Sequence, residues 1–322
     1  MKRKNLLFVL VVVSCLSIFI GGWTLPPSLK KLPIEKNEFF IQTDTGMTIY
    51  TVEKKLKPAI PQKVKKPVLL IHGSGVGYGY WDIEIKDYSM MEFLARLGFD
   101  VYAVDQRGFG KSTIPNGLTV RGEESAEDLK SVIDFIKTRT KLAKVDIVGH
   151  SWGAVVATFL AGKYPEDIGK VVLMGSIYKS INPAFQGAVN FLIMQAKLGV
   201  QYLPNTHYLT VENSLYSYEG IVIDYYKTMV SQSYSYIPTG PFLDLEFFEY
   251  SDYIPQIENP TLLINGMFEY VVDREDAFNC LEDLAAIEKD LLTMGNAYHL
   301  VALEEVAHTR LNLAVATWLL KQ

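Results

Sequence analysis

The pentapeptide Gly149-His150-Ser151-Trp152-Gly153 sets one small hydroxyl between two glycines. The buried-strand pattern of residues 144–150 ends there, and "WGAVVATFLAGKYP", which reads as a helix buried on most sides, begins. A serine held in a strained strand-to-helix turn leaves no room for Cβ atoms at its flanks, which is why glycines stand there. The turn presents the hydroxyl at a helix amino end, whose dipole favours developing negative charge. The chemistry this suits is attack on an ester, thioester or amide carbonyl through an acyl-enzyme. Serine is a weak nucleophile, so it needs a base in hydrogen-bond reach and a carboxylate to orient that base.

Acyl transfer also needs two N–H donors aimed at the oxyanion. "LLIHGSGVGYGYWD" ends a buried run in His72-Gly73-Ser74, with further glycines at 75, 77 and 79. The backbone N–H groups of Ser74 and Trp152 are assigned as the donors. No G-x-G-x-x-G register fits, because Tyr78 and Tyr80 stand where a third glycine is due. "VDQRGFGKS" imitates a phosphate loop at its end, but position 105, where the first glycine belongs, is Asp105. Asp105, Arg107, Gly108 and Gly110 read instead as braces for a loop after a strand. Without H-E-x-x-H, paired C-x-x-C or a histidine cluster, neither a metal nor another cofactor has sequence support.

Positioning these groups requires a sheet. Residues 67–72, 100–105, 144–150, 170–175 and 260–266 are short apolar runs of the kind a parallel sheet buries on both faces. Between them lie helical patterns. Leu129, Val132, Ile133 and Ile136 share one helix face. The expected architecture is α/β, a mostly parallel central sheet covered by helices. Ahead of it, residues 38–43 and 47–53 alternate and read as a hairpin turning at Asp44-Thr45-Gly46. Residues 176–254 break the alternation with a tyrosine- and phenylalanine-rich stretch, read as a mainly helical cap over the carboxyl ends of the strands. Its aromatic side chains suit either a small core of its own or a substrate cavity. The core is then residues 25–175 and 255–322.

The chain has 322 residues, 49% hydrophobic, enough for a large core. A net charge of −5 with both signs interspersed offers no field for a phosphate backbone, so nucleic acid is a poor partner. Residues 1–24 form a separate segment. Lys2, Arg3 and Lys4 precede residues 6–20, which carry no charge. That pattern reads as an export signal or a signal anchor, with the N-terminus inside and the catalytic domain outside the cytoplasm. "VVSC" also resembles a lipoprotein box with Cys15 as the lipidated residue, although the residues after it stay apolar. Cys280, the second of two cysteines, is left without a disulfide partner in the rest of the chain.

"HGSG", "DQRGFGKS" and "GHSWG", in this order and spacing, resemble the α/β-hydrolase superfamily, with the tyrosine-rich stretch where many members carry a lid or cap. The resemblance implies the chain order serine, acid, histidine. In the family the acid stands three residues after the glycine ending the "PTLLING" strand, usually as aspartate; here that position is Glu269, with Asp273 as the alternative. Among the histidines, His72 and His150 belong to motifs and His207 to the insertion. Residues 300–303 read as a strand, which places His308 at its carboxyl end and His299 at the opposite edge, so His308 is the expected base.

The implied activity is carboxylic ester hydrolysis of a small acyl substrate. "DQRGFGKS" and "SWG" also resemble the proline-iminopeptidase branch, which shows "HGGPG" where this chain has "HGSGVG". Such an aminopeptidase would need cap carboxylates for a free amine, for which Glu212, Glu219, Asp224 and Glu246 are available. A non-catalytic binding protein of the same fold is the remaining alternative.

Overall fold

The computed structural model describes residue 29 and residues 32–57 and 66–321. The N-terminal segment, with Cys15 and the anchor, signal and lipoprotein readings, lies outside the described residues. Among those described, no helix is long and apolar enough to cross a membrane.

The hairpin forms as β1 (Ile34–Gln42) and β2 (Thr48–Leu56), paired antiparallel. Gly46 supplies the positive φ of +83° that its turn requires. The five apolar runs form β3 (Pro67–Ile71), β4 (Asp100–Val104), β5 (Val145–His150), β6 (Ile168–Met174) and, after the insertion, the strand Thr261–Gly266. All run parallel, and β3 sits between β4 and β5. The chain leaves β3 in one direction and returns on its other side, so the carboxyl ends of β3 and β5 lie side by side. Such a switch point is where open α/β sheets bind ligands.

Helices pack on these strands. In α1 (Met90–Arg96), the Ser89 hydroxyl accepts the Glu92 N–H at 3.0 Å and caps the first turn. In α2 (Gly122–Thr140), Leu129, Val132, Ile133 and Ile136 are all buried, as their spacing requires. In α3 (Trp152–Lys163), every residue from Trp152 to Ala161 is buried. One apolar cluster lies on each face of the sheet.

The insertion holds α4 (Pro183–Lys197), β7 (Tyr202–Pro204), α5 (Gly220–Ser233), β8 (Tyr236–Pro238) and α6 (Gly240–Phe247). β7 and β8 make a small antiparallel pair within this mainly helical region. Residues 249–256 already return to the core, where the Tyr253 ring packs 5.2 Å from that of Phe159 on α3. The chain continues with β9 (Thr261–Gly266), α7 (Arg274–Asp283), β10 (Lys289–Met294) and α8 (His308–Leu320).

The last parallel strand differs from expectation. Residues 301–303 form a 3₁₀ turn, and the strand is β10, in parallel register with β9 at the sheet edge. As an edge strand, β10 is only partly buried and its sequence "KDLLTM" lacks the continuous apolar run of its neighbours. Residues 300–303 are apolar because they are buried as a loop.

Glu53 ties the hairpin to the domain. Its carboxylate accepts two bonds from Arg139 of α2, both at 2.9 Å, one from the Tyr102 hydroxyl of β4 at 2.6 Å, and one from Asn37 of β1 at 2.8 Å. Burial pushes its pKa up, but these donors outweigh it and hold it at about 2. A depressed carboxylate stabilises the fold above its unfolded pKa, and that contribution is lost as pH falls through the folded value. Glu53→Gln is therefore expected to cost on the order of 3 kcal/mol at pH 7. The difference from wild type in urea unfolding should shrink as pH falls from about 4.5 towards 2.

Candidate active site

Ser151 sits between β5 and α3 with φ +54° and ψ −123°, a conformation L-residues rarely adopt. Its own N–H is tied to the Met174 carbonyl of β6 at 2.8 Å. A Cβ at Gly149 would collide with the Gly153 backbone, and one at Gly153 with the carbonyls of Ile71 and His72. The flanking glycines thus answer to two close backbone approaches. One is within the turn, and the other is between the turn and the loop after β3.

That loop is held by His72. Burial pushes the His72 pKa down to about 4, so the ring is neutral. Its Nε2 accepts the Gln106 N–H at 3.0 Å, and its Nδ1–H donates to the Gly73 carbonyl at 2.7 Å. Because the Gly73–Ser74 peptide is planar and trans, fixing that carbonyl points the Ser74 N–H the opposite way. The Trp152 N–H, in the first turn of α3, has no intrahelical acceptor. Ser74, Ser151 and Trp152 all line one cavity of about 610 Å³.

Glu269 lies after β9, buried, and accepts the backbone N–H groups of Tyr270 at 3.0 Å and Val271 at 2.9 Å. Both carboxylate oxygens face Nδ1 of His299, at 3.0 and 3.1 Å. Burial raises its pKa, but the His299 imidazole and the N–H groups of Val271 and Val272 outweigh this and hold it below the usual carboxylate range. Asp273, the alternative acid, instead caps α7 by accepting the Glu275 N–H at 2.9 Å.

The expected base is corrected here. His308 is the first residue of α8, its ring stacked 3.7 Å from that of Tyr88. Its Nδ1 donates to the Glu304 carbonyl at 2.8 Å and its Nε2 lies 3.4 Å from Asp87. It neither meets Glu269 nor lines the cavity. His299 does both, because β10 ends at Met294 and the turn at Gly295-Asn296 returns the chain to the cavity edge. Asn296, with φ +59°, marks that turn, and "GN" was the signal in the sequence that separates His299 from the strand.

Most of the remaining wall is apolar, including Ile177, Phe185, Leu192, Leu203, Phe242 and Val271, and Asn205, Thr206 and His207 add uncharged polar groups. Among the described residues, no Lys, Arg, Asp or Glu lines it. Glu212, Glu219 and Glu246 are paired with Lys227, Lys86 and Lys197, and neither they nor Asp224 reach the cavity. Asp105 braces as expected, accepting the N–H groups of Tyr78 and Lys111, both at 2.9 Å. Arg107 pairs with Asp128 at 2.5 Å. Sequence reasoning missed Asn205 and Asp244, insertion residues buried against the core.

A sequence profile described as alpha/beta hydrolase fold matches residues 66–306, and the chain belongs to that family. It is an α/β hydrolase. A monoglyceride lipase of Rattus norvegicus is 23% identical over 258 residues, covering 79% of this chain and 82% of its own. A 2-hydroxy-6-oxononadienedioate/2-hydroxy-6-oxononatrienedioate hydrolase of Paraburkholderia phymatum is 35% identical over 111 residues, 34% of this chain and 36% of its own. This chain spans only 23% and 30% of two other curated relatives. An esterase from Exiguobacterium antarcticum superposes with a TM-score of 0.68 at 18% identity, covering 88% of this chain and all of its own, a likeness of fold.

The close approach at Gly153 yields a stability test. Gly153→Ala should push α3 away from the loop after β3 and cost about 3 kcal/mol or more, the upper range for overpacking. Urea midpoints of the two proteins check this.

Proposed function

We propose that the protein hydrolyses carboxylic esters of uncharged, apolar acyl groups through an acyl-enzyme on Ser151. The observation that carries this reading is the convergence of Ser151 and the His299–Glu269 pair on one apolar cavity. The Ser151 hydroxyl attacks the acyl carbonyl while His299 Nε2 takes its proton. Glu269, bonded to Nδ1, fixes the tautomer and stabilises the imidazolium. The N–H groups of Ser74 and Trp152 receive the oxyanion. His299 then returns the proton to the departing alcohol, and water repeats the sequence in reverse. No metal or cofactor takes part in these steps.

The absence of charged lining among the described residues favours a neutral substrate over a dicarboxylate or a free amine. It leaves the aminopeptidase reading without an amine anchor. In the same proposal, residues 1–24 attach the enzyme to a membrane or export it, and the insertion acts as its cap.

A fluorophosphonate probe tests the mechanism. Wild type should be labelled and should hydrolyse p-nitrophenyl butyrate in preference to proline arylamides. Ser151→Ala and His299→Ala should lose about 1,000-fold or more in kcat, whereas His308→Ala should stay within about threefold of wild type, since it lies outside the cavity. Failure of well-folded wild type to label would move the assignment to a binding protein. Loss of activity in His308→Ala but not in His299→Ala would reverse the choice of base.

A further inference from the structure

Two polar side chains of the insertion are buried against the elements that carry the oxyanion donors. Asn205 follows β7, and its Nδ2 donates to the Gly75 carbonyl at 2.7 Å and to the Tyr234 carbonyl at 2.9 Å. Gly75 has φ +89° and directly follows Ser74. Asp244 lies on α6. Its Oδ2 accepts the Trp152 indole Nε1–H at 3.1 Å and the Gly122 N–H, at the start of α2, at 2.8 Å. Its Oδ1 accepts Arg121 Nε at 2.6 Å. Each donor element is therefore gripped from two sides. His72 holds the Gly73 carbonyl from the core, and Asn205 holds the Gly75 carbonyl from the insertion. Met174 holds the Ser151 N–H from the sheet, and Asp244 holds the Trp152 ring from the insertion.

We propose that Asn205 and Asp244 are positioning residues for the oxyanion donors, so that the insertion forms part of the transition-state binding machinery and stays seated during turnover. The proposal rests on the serine-hydrolase reading above. Its physical basis is that a donor contributes to catalysis only when fixed where the oxyanion forms, and displacement by about 1 Å costs up to 100-fold. Asn205 lines the cavity but acts through the Gly75 carbonyl it holds, and Asp244 acts through the Trp152 indole. Because Asp244 grips the indole of the residue whose N–H is the donor, opening the insertion for chemistry would release Trp152.

The test uses the full chain and the variants Asn205→Ala, Asp244→Asn and Trp152→Phe. Trp152→Phe keeps an aromatic ring in place and removes the indole N–H together with part of the buried ring. Activity is counted per site titrated with fluorophosphonate, which restricts the comparison to folded, reactive molecules. For p-nitrophenyl butyrate, kcat should fall about 10- to 100-fold in Asn205→Ala and Asp244→Asn with KM within about twofold. The inhibition constant of a trifluoromethyl ketone, which forms a tetrahedral oxyanion on serine, should rise by the factor by which kcat/KM falls. Asp244→Asn and Trp152→Phe should be non-additive, because the first weakens and the second removes the same Asp244–Trp152 contact. A kcat per site within twofold of wild type would overturn the proposal. So would a fall in kcat with the ketone's inhibition constant unchanged. If wild type itself does not label, the serine-hydrolase reading has failed, a result separate from either of these.

Discussion

The positive φ at Ser151 is the constraint around which the neighbouring structure is arranged. A serine held there pays a conformational cost on the order of 1 to 3 kcal/mol. It persists only because the surroundings leave no alternative. α3 is buried along its first ten residues, so its start cannot drift. The Met174 carbonyl captures the Ser151 N–H, and the backbones at Gly149 and Gly153 approach their neighbours too closely for any Cβ. The approach of Gly153 to the end of β3 brings the loop carrying Ser74 beside the hydroxyl. One packing contact therefore sets both Ser151 and the loop that carries Ser74.

Electrostatics follow from the same burial. His150, beneath the cavity, is driven down to about 3 by desolvation and by the nearby His299, so it is a neutral wall group stacked on Tyr80. His72 is neutral for the same reason. Glu269 remains ionised in a buried position because His299 and two backbone N–H groups face it. Its negative charge thus lies directly behind the His299 imidazole. Glu212, Glu219 and Glu246 of the insertion pair with lysines outside the cavity, and Asp244 pairs with Arg121 behind the Trp152 ring. Low local dielectric strengthens the Glu269–His299 interaction and penalises charged ligands.

The fold was legible where burial leaves a strong pattern in the chain. Strands buried on both faces are apolar throughout, and five of them were visible. Ser151, Ser74 and Trp152 sit in motifs fixed by backbone geometry, so their placement could be read locally, whereas Glu269 followed from the family resemblance with Asp273 left open. β10 could not, because an edge strand needs no continuous apolar run, and the buried loop after it carries one instead. That exchange moved the apparent strand past His299 and pointed to His308. Asn205 and Asp244 were illegible for another reason. A side chain that bonds across 130 residues to Gly75, or 92 to Trp152, leaves no spacing signal.

Asp105 shows what the tie between insertion and core costs. Its carboxylate is buried between the glycine loop, residue 111 and the insertion, accepting the Tyr78 and Lys111 N–H groups and the Tyr234 hydroxyl at 3.0 Å. Burial pushes its pKa up to about 6, and the three donors only partly oppose that. A carboxylate with a raised folded pKa contributes stability fully below its unfolded value and loses it as pH rises through the folded value. At neutral pH the ionised Asp105 therefore opposes folding, yet it joins Tyr234 of the insertion to the loop that follows Ser74. Asn205 reaches the same loop through Gly75 and the same segment through the Tyr234 carbonyl. A contact kept at a cost to stability is explained by what it aligns, and here it aligns the insertion with the loop that follows Ser74.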